Sequence, residues 1–316
     1  MISWSGAVAQ ATELVLAILL APLLLGWVNQ CRAWLQNKSG PGVLRPYLML
    51  RRLFAKDAIV AHGASPLFRT VPYVLFGAMA MAAAIVPTLG TDLPYAPAAD
   101  AIALVGILAL ARVAIALAAM DIGTAFGTLG ARREMLIGAL AEPALLIIFF
   151  NFALIAQSTS LTTIVETLAH REFALYPSLA FAAVAFVMVL LAENARVPVD
   201  NPATHLELTM VHEALVLEYS ARHLALIEWA SAIKLFAYCA IGIACFVPWG
   251  IAEAGDWNAL PLAIAAAVAK LLAAGAGLAV LETVSAKMRI FRVPEFVATA
   301  FMLAMLGLLL NYVFEV

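Results

Sequence analysis

The sequence predicts an all-α membrane protein with about eight transmembrane helices, and three observations carry that prediction. Hydrophobic residues make up 65% of the 316 positions and charged residues only 12%, whereas soluble domains carry about 25% charged residues. The mean hydropathy is +1.00. Apolar runs long enough to cross a hydrocarbon core of about 30 Å recur along the chain. The expected surroundings of this chain are therefore a lipid bilayer.

The predicted spans follow one another along the whole chain. They cover about 7–28, 70–89, 100–119, 135–157, 178–194, 229–250, 259–282 and 295–314, of which 178–194 is the shortest. The first span contains Glu13 and lacks a basic start, which favours a retained span over a signal peptide. No internal repeat or linker interrupts the pattern, so residues 1–316 are predicted to form one membrane domain.

The connections between the spans differ in charge. Fourteen of the 18 Lys and Arg residues fall in the loops at about 29–69, 120–134, 195–228 and 283–294, while Arg171 lies in a loop of the other set. Basic residues are retained on the cytoplasmic side of a membrane. We therefore expect these four loops in the cytoplasm and both termini in the periplasm, in a multi-pass protein of a bacterial inner membrane.

Net charge and cysteine content exclude two classes of function. The net charge of -2 and the lack of a dense basic stretch argue against a nucleic-acid partner. Cys31, Cys239 and Cys245 show no C-x-x-C spacing and are predicted to be small core residues. The residues thus predict no metal or redox cofactor bound by this chain.

Charged residues within predicted spans are the first candidates for a functional site, because each costs roughly 2.5–3.5 kcal/mol on insertion. They are Glu13, Arg112, Glu142, Glu193, Glu228, Lys234, Lys270 and Glu282. Glu142 is predicted about eight residues into its span, near 12 Å deep, and Lys270 is similarly deep. The others, apart from Glu13 and Arg112, are predicted near cytoplasmic ends, where long side chains reach the interface without any function.

Acids and bases at staggered depths are typical of a proton path. We predict that this path comprises Glu142, Glu193, Lys234, Lys270 and Glu282.

The connection at residues 193–223 is acidic on the side where basic residues usually predominate. Pro198 and Pro202 interrupt the chain after the span, and residues 204–217 have roughly helical spacing, which favours a surface or re-entrant helix. The candidate coupling residues are Arg196, Asp200, Glu207, Glu213, Glu218 and Tyr219. Two interpretations remain open, a docking face for a cytoplasmic subunit and the mouth of a polar cavity. His205 and His212 are expected to face solvent rather than bind a metal.

Three stretches resemble the membrane subunit 1 family of respiratory complex I. The acidic connection matches that family at Glu193, Arg196, Pro198, Asp200, Glu207, Leu208 and Glu218-Tyr219-Ser220, and the first loop matches at Gly40-Pro41-Gly42. Residues 120–143 are similar to the hydrogenase branch, which includes formate hydrogenlyase and hydrogenase-4, at Asp121, Gly123, Phe126, Gly130, Ala131, Arg133, Glu134, Glu142 and Pro143. Lys234, residues 246–250 and Glu282 also agree with that branch. The sequence departs from the family at Val199 and at Ala203-Thr204-His205, where two acids are missing.

The resemblance implies a subunit that anchors a peripheral arm of hydrogenase-like large and small subunits. Iron–sulfur clusters, and in the hydrogenase case a nickel–iron centre, would belong to those partners. The subunit would form the first section of a proton path toward antiporter-like membrane subunits, with Asp121, Arg133 and Glu134 in support. A quinone-reducing complex I subunit and a self-contained ion transporter are the alternatives, although the inverted repeats typical of transporters are not visible. Whether the ion is a proton or sodium stays open.

Overall fold

The structure is a computed structural model that describes residues 4–61, 63–90, 100–170, 177–200, 211–251 and 260–314. Within these residues the chain is almost entirely helical, and its only β pairing is one isolated bridge between Asp100 and Ser160. The helices are α1 Trp4–Leu35, α2 Arg45–Phe54, α3 Pro66–Ile85, α4 Ala101–Asp121, α5 Ala125–Ala156, α6 Leu161–His170, α7 Pro177–Glu193, α8 His212–Val216, α9 Ala221–Phe246, α10 Leu260–Val284 and α11 Val293–Phe314. The predicted all-α membrane class is confirmed.

Seven of the described helices are long and apolar enough to cross a membrane, namely α1, α3, α4, α5, α9, α10 and α11. The remaining predicted span, at 178–194, corresponds to α7, which has 17 residues. At 1.5 Å per residue that helix is about 25 Å long, slightly less than the hydrocarbon core.

Two helices begin well before the positions expected from hydropathy. The span expected near 135 starts at Ala125, and the span expected near 229 starts at Ala221. Thr124 caps α5 by accepting a hydrogen bond from the Gly127 amide. Hydropathy underestimates such helices because their first turns carry charges, whereas the backbone hydrogen bonds continue through them. Glu134, expected in a loop, is consequently a helical residue, and Lys234 lies at mid-helix.

Short helices occupy two connections that were expected to be loops. α2 lies in the first connection and α6 in the segment after α5. Of the helix expected at 204–217, the structure describes only α8, since residues 201–210 lie outside the described part of the chain. That gap includes Glu207 and His205.

The helices pack in an order that differs from their order along the chain. α11 packs against α5 and α7, α1 packs against α10 and α9, and α3 joins the two groups through α4 and α9. Small residues allow close approach, as is usual between membrane helices. A Cβ on Gly307 would lie 2.9 Å from the Ser178 carbonyl oxygen. Nearby, the Asn311 amide donates to Asn151 Oδ1 at 2.8 Å, so a buried polar contact also joins α11 to α5.

The four connections predicted to be cytoplasmic lie at one end of the bundle, called here the basic end. Hydrogen bonds join them in three pairs, Ile59 with Ser220, Ser65 with Asp121, and Pro198 with Met288. At the opposite end, Glu13 of α1 accepts hydrogen bonds from the Thr88 and Leu89 amides. The basic end thus gathers the connections that carry 14 of the 18 Lys and Arg residues.

Candidate functional site

The centre of the site is Arg112, a buried arginine near the middle of α4. Its Nη1 lies 2.7 Å from Glu142 Oε1, its Nε lies 3.3 Å from Glu134 Oε1, and its Nη2 pairs with Glu193 Oε2. A guanidinium carries five N–H donors in a rigid planar fork, which a lysine could not supply. Arg112 therefore joins three carboxylates from two other helices, α5 and α7.

The face of α5 that meets Arg112 has a regular spacing. Glu134, Gly138 and Glu142 are separated by four residues each, so they lie along one side of the helix. A Cβ built on Gly138 would come within 2.2 Å of Arg112 Nη1. The glycine thus leaves the space in which the guanidinium crosses α5 between the two glutamates.

Lys234 of α9 extends this set of charges. Its Nζ lies 3.0 Å from Glu193 Oε2, so Glu193 is shared between Lys234 and Arg112. Tyr238, one turn further along α9, is fully buried. Arg112, Glu134, Glu142, Glu193 and Lys234 are called here the central array. Three acids face two bases, so a fully ionised array would carry one negative charge more than its bases neutralise.

A second cluster surrounds Glu282 near the basic end of α10. Glu282 Oε1 accepts a hydrogen bond from Arg196 at 3.1 Å, and Oε2 accepts one from Arg32 of α1 at 3.3 Å. Its side chain is almost completely buried. Arg196 follows Glu193 by three residues, so one short segment of chain contacts both the central array and the Glu282 cluster.

A small polar cavity lies between the central array and the loop that follows α7. Its volume is about 30 Å³, and its polar lining comes from Arg112, Glu134, Glu193, Asn194, His212, Ser231 and Lys234. A polar cavity of this size has room for a water molecule. Water there would connect His212, at the start of α8, with the carboxylates of the array.

The candidate coupling residues that the structure describes follow α7 or lie on and after α8, at the basic end. Asp200 is buried and accepts hydrogen bonds from the Val211 and His212 amides at 3.2 and 3.4 Å. It therefore joins the segment after α7 directly to the start of α8. Glu213 is half-buried on α8, and Glu218 is exposed after it.

Tyr219 anchors the end of the same connection. Its hydroxyl donates to the Phe68 carbonyl oxygen at 3.1 Å, and the two rings stack with centroids 3.9 Å apart. Burial, with Asp121 nearby, raises the pKa of the Tyr219 phenol, so the hydroxyl stays protonated and able to donate. Asp121 itself accepts a hydrogen bond from the Ser65 amide at the start of α3.

The structure brings together some of the predicted path residues and separates one. Glu142, Glu193 and Lys234 lie in the central array, and Glu282 lies in the neighbouring cluster. Lys270 is elsewhere, since its Nζ donates to the carbonyl oxygens of Val247, at 2.7 Å, and Trp249, just after the end of α9. Of the supporting residues, Glu134 joins the array and Arg133 is half-buried beside it on α5.

Arg112 was recognised from the sequence as a charged residue within a predicted span, but no role was predicted for it. The available signal was its depth, because an arginine this far from both helix ends must be paired. The role of Gly138 was missed too, and its position four residues from each of two glutamates was the only sign of it. Neither residue could be assigned without knowing which helices are neighbours.

No group of three or more metal-ligating side chains lies close enough to hold a metal ion within the described ranges. All three cysteines are buried and free.

Comparison with known proteins identifies the family. A family model described as NADH dehydrogenase matches residues 9–313. The chain belongs to the NADH dehydrogenase family. Membership over almost the whole length confirms the resemblance to the complex I subunit 1 family that the sequence motifs indicated.

Two curated relatives in the NADH dehydrogenase family come from Escherichia coli (strain K12). Formate hydrogenlyase subunit 4 is 30% identical over 287 residues, covering 91% of this chain and 92% of that protein. Hydrogenase-4 component C is 34% identical over 248 residues, covering 78% of this chain and 76% of that protein. The similarity to the hydrogenase branch therefore extends well beyond the motif at 120–143.

The family fold is also present in a solved structure. A chain of the membrane-bound sulfane sulfur reductase, described as an archaeal respiratory membrane complex, matches with a TM-score of 0.83 and 18% identity. The match covers 96% of this chain and 99% of the other. At this identity the likeness establishes the shared fold.

Proposed function

We propose that this chain is the membrane-anchoring, ion-translocating subunit of a complex I-like, membrane-bound hydrogenase assembly. In that assembly, electron transfer in a docked peripheral arm is coupled to proton movement through the membrane. The relatives named formate hydrogenlyase subunit 4 and hydrogenase-4 component C support the type of assembly. The single observation that carries the ion-translocating role is the central array of five ionisable side chains buried between α4, α5, α7 and α9.

The composition of the array suits proton transfer. Buried ionisable residues in a membrane are costly and usually serve ion pathways. With three carboxylates and two bases, the array can accept one proton and become neutral. Glu142 is the best carrier, because its side chain is the most exposed of the three carboxylates.

The depths of the acids give the proposed path a direction. Glu134 is nine residues from the start of α5 and Glu142 is 17, so they lie roughly 14 and 25 Å from the basic end. A proton entering beside His212 would cross the water-sized cavity to Glu193 and Glu134. It would then pass Arg112 to reach Glu142, in the half of α5 that faces away from the basic end.

Coupling would act through the segment after α7. Glu193 belongs to the array and Arg196 to the Glu282 cluster, and a shift of this segment changes both sets of contacts. A peripheral arm docked at the basic end would contact the neighbouring loop through Glu213 and Glu218, while the buried Asp200 holds that loop in place from inside. Movement there would alter how strongly Glu193 is neutralised and thereby move the proton. Glu207 remains a predicted member of this loop.

Lys270 receives a different role in this proposal. Its ammonium donates to two backbone carbonyls after the C-terminus of α9. A positive charge there also interacts favourably with the negative end of the helix dipole. We therefore assign it to stabilising that helix end rather than to the proton path.

The proposed assembly comprises hydrogenase-like large and small subunits and antiporter-like membrane subunits, in a bacterial inner membrane. Iron–sulfur clusters and a nickel–iron centre would be bound by the peripheral subunits. In the alternative, a quinone-reducing complex, the peripheral arm would lack nickel and the membrane part would retain quinone.

Purification of the intact assembly tests this function. The full chain, tagged at one terminus, is purified from mild detergent with its partners, beside an untagged strain as the control. We expect a partner with nickel-ligating cysteines, together with nickel and iron detected by metal analysis. A nickel-free complex that retains quinone would contradict the hydrogenase assignment, and a chain purified without partners would contradict the assembly itself.

A further inference from the structure

The basic end carries a groove that the proton path does not use. It lies between α1 and α2 and has a volume of about 750 Å³. Leu25, Gly26 and Asn29 form the wall on α1, and Leu48, Met49 and Arg52 are among the residues that form the wall on α2. A volume of this size falls within the range of small-molecule binding sites.

Contacts with α1 and α9 fix the position of α2 beside the groove. The Tyr47 hydroxyl donates to the Leu19 carbonyl oxygen on α1, and the Phe54 ring meets Trp229 edge to face at 6.3 Å. The loop before α2 also lies tightly on α1, because a Cβ on Gly26 would come 1.9 Å from the Val43 carbonyl oxygen. The groove is thus bounded by packed backbone on one side and an anchored helix on the other.

The chemistry of the groove is that of a site for an anionic amphiphile. Its floor is formed mainly by leucine, methionine and proline side chains, whereas Arg45, Arg52 and Lys56 stand along its α2 side. These three basic side chains are exposed, and no acidic residue lines the groove within the described part of the chain. An apolar floor beside three positive charges complements an acyl chain joined to a phosphate.

The position of the groove relative to the membrane agrees with this ligand class. Leu25 lies ten residues before the end of α1, which is roughly 15 Å along the helix. Trp34, 57% exposed, stands near that end, where tryptophans favour the membrane interface. The groove therefore extends from the headgroup level into the hydrocarbon region and can receive a lipid laterally.

We propose that this groove binds one anionic glycerophospholipid, with its phosphate between Arg45, Arg52 and Lys56 and an acyl chain along the apolar floor. Basic clusters next to the cytoplasmic end of a membrane helix attract anionic headgroups, with a contribution from each Lys or Arg. A quinone has a neutral headgroup and would leave the three cations without a counter-charge. The bound lipid would fix α2 against α1 at the end of the bundle that carries the acidic loop.

Lipid retention by the full chain in its purified complex tests this site. The complex is exchanged into nanodiscs of phosphatidylglycerol and phosphatidylcholine, returned to detergent and analysed by native mass spectrometry. We expect one retained phosphatidylglycerol per chain and no comparable retention of phosphatidylcholine. Arg45→Gln and Arg52→Gln should each reduce retention of phosphatidylglycerol about fivefold. Met49→Trp should displace the retained phosphatidylglycerol, because the larger side chain fills the floor of the groove.

Arg51→Gln is the matched control, because Arg51 is an exposed arginine of the same helix that does not line the groove. Retention in this variant should equal that of the unmodified chain. Equal retention of both lipids, equal losses in Arg51→Gln and Arg52→Gln, or recovery of a quinone in place of the phospholipid would each overturn the proposal.

Discussion

At the residue scale, Arg112 pairs with three carboxylates inside the bundle, one of which, Glu193, it shares with Lys234. Burying charges costs several kcal/mol per ion, which close pairs offset only when their geometry is good. Arg112 meets that condition because its separate nitrogens face Glu134, Glu142 and Glu193. Removing one partner leaves a buried charge without compensation, so the array should be sensitive to single substitutions and more tolerant of paired ones.

The first prediction concerns Arg112→Leu. Breaking a buried ion pair costs about 3–5 kcal/mol, so this variant should unfold at a clearly lower temperature in detergent than the unmodified chain. Adding Glu134→Gln removes one carboxylate that Arg112 alone had paired, and should restore part of the loss. Arg132→Leu is the control, since Arg132 is exposed on α5 and such changes usually stay within about 0.5 kcal/mol. Equal stability of Arg112→Leu and Arg132→Leu would contradict the pairing.

The identities of several site residues were predictable from sequence, and their partners were not. Glu142 stood out by depth alone, and it does lie far from the basic end. Lys234 was expected near a helix end because hydropathy places the start of its span eight residues too late. Pairing between Arg112 and Glu193 depends on α4 and α7 both packing against α5, which no local pattern encodes.

At the element scale, two glycines of α5 leave space for side chains from neighbouring helices. Gly138 lies between Glu134 and Glu142, and Gly130 admits Ala214 of α8, whose Cβ would be 2.9 Å from an added methyl. Glycine is unfavourable within a helix by about 1 kcal/mol relative to alanine. Its presence here is explained by the side chains that occupy the space beside it.

The second prediction follows from that space. Gly138→Ala should push the Arg112 guanidinium away from the two α5 carboxylates, lowering both thermal stability and coupled proton movement. Gly106→Ala on α4 is the matched control, because a Cβ there meets nothing within 4 Å and helix propensity alone should make it neutral or stabilising. Parallel melting curves and proteoliposome assays compare the two. Indistinguishable behaviour of Gly138→Ala and Gly106→Ala would show that the close approach is unimportant.

The long helices were predictable as elements, whereas the short ones were not. Hydropathy identifies α3, α4, α10 and α11 because their length and composition suffice to cross the bilayer. α2 and α6 have ten residues each, too few to form a stable helix without packing partners, so they depend on the surrounding fold. The early starts of α5 and α9 were not predicted for a related reason, since charged residues in the first turns of a helix lower its hydropathy.

At the scale of the whole molecule, two separate groups of charged residues stand out. Three basic residues of the first connection, Arg45, Arg52 and Lys56, line the groove between α1 and α2. The five charged residues of the central array lie instead between α4, α5, α7 and α9. The loop after α7 adjoins both the array and the Glu282 cluster, so a change at the basic end reaches the centre of the bundle through a few residues.

Glu142 should be required for proton transfer through the array but not for assembly of the complex. Neutralising Glu142 leaves Arg112 paired with Glu134 and Glu193, so the bundle should retain its packing. The control is Glu166→Gln, because Glu166 is exposed on α6 and lies outside the array. Both variants should therefore purify with the same partners as the unmodified chain.

The most direct measurement is the number of protons moved per electron by the intact complex in proteoliposomes, with Glu142→Gln compared against Glu166→Gln. We predict that Glu142→Gln keeps electron transfer but loses coupled proton movement, whereas Glu166→Gln keeps both. An unchanged proton-to-electron ratio in Glu142→Gln would contradict the central role of the array.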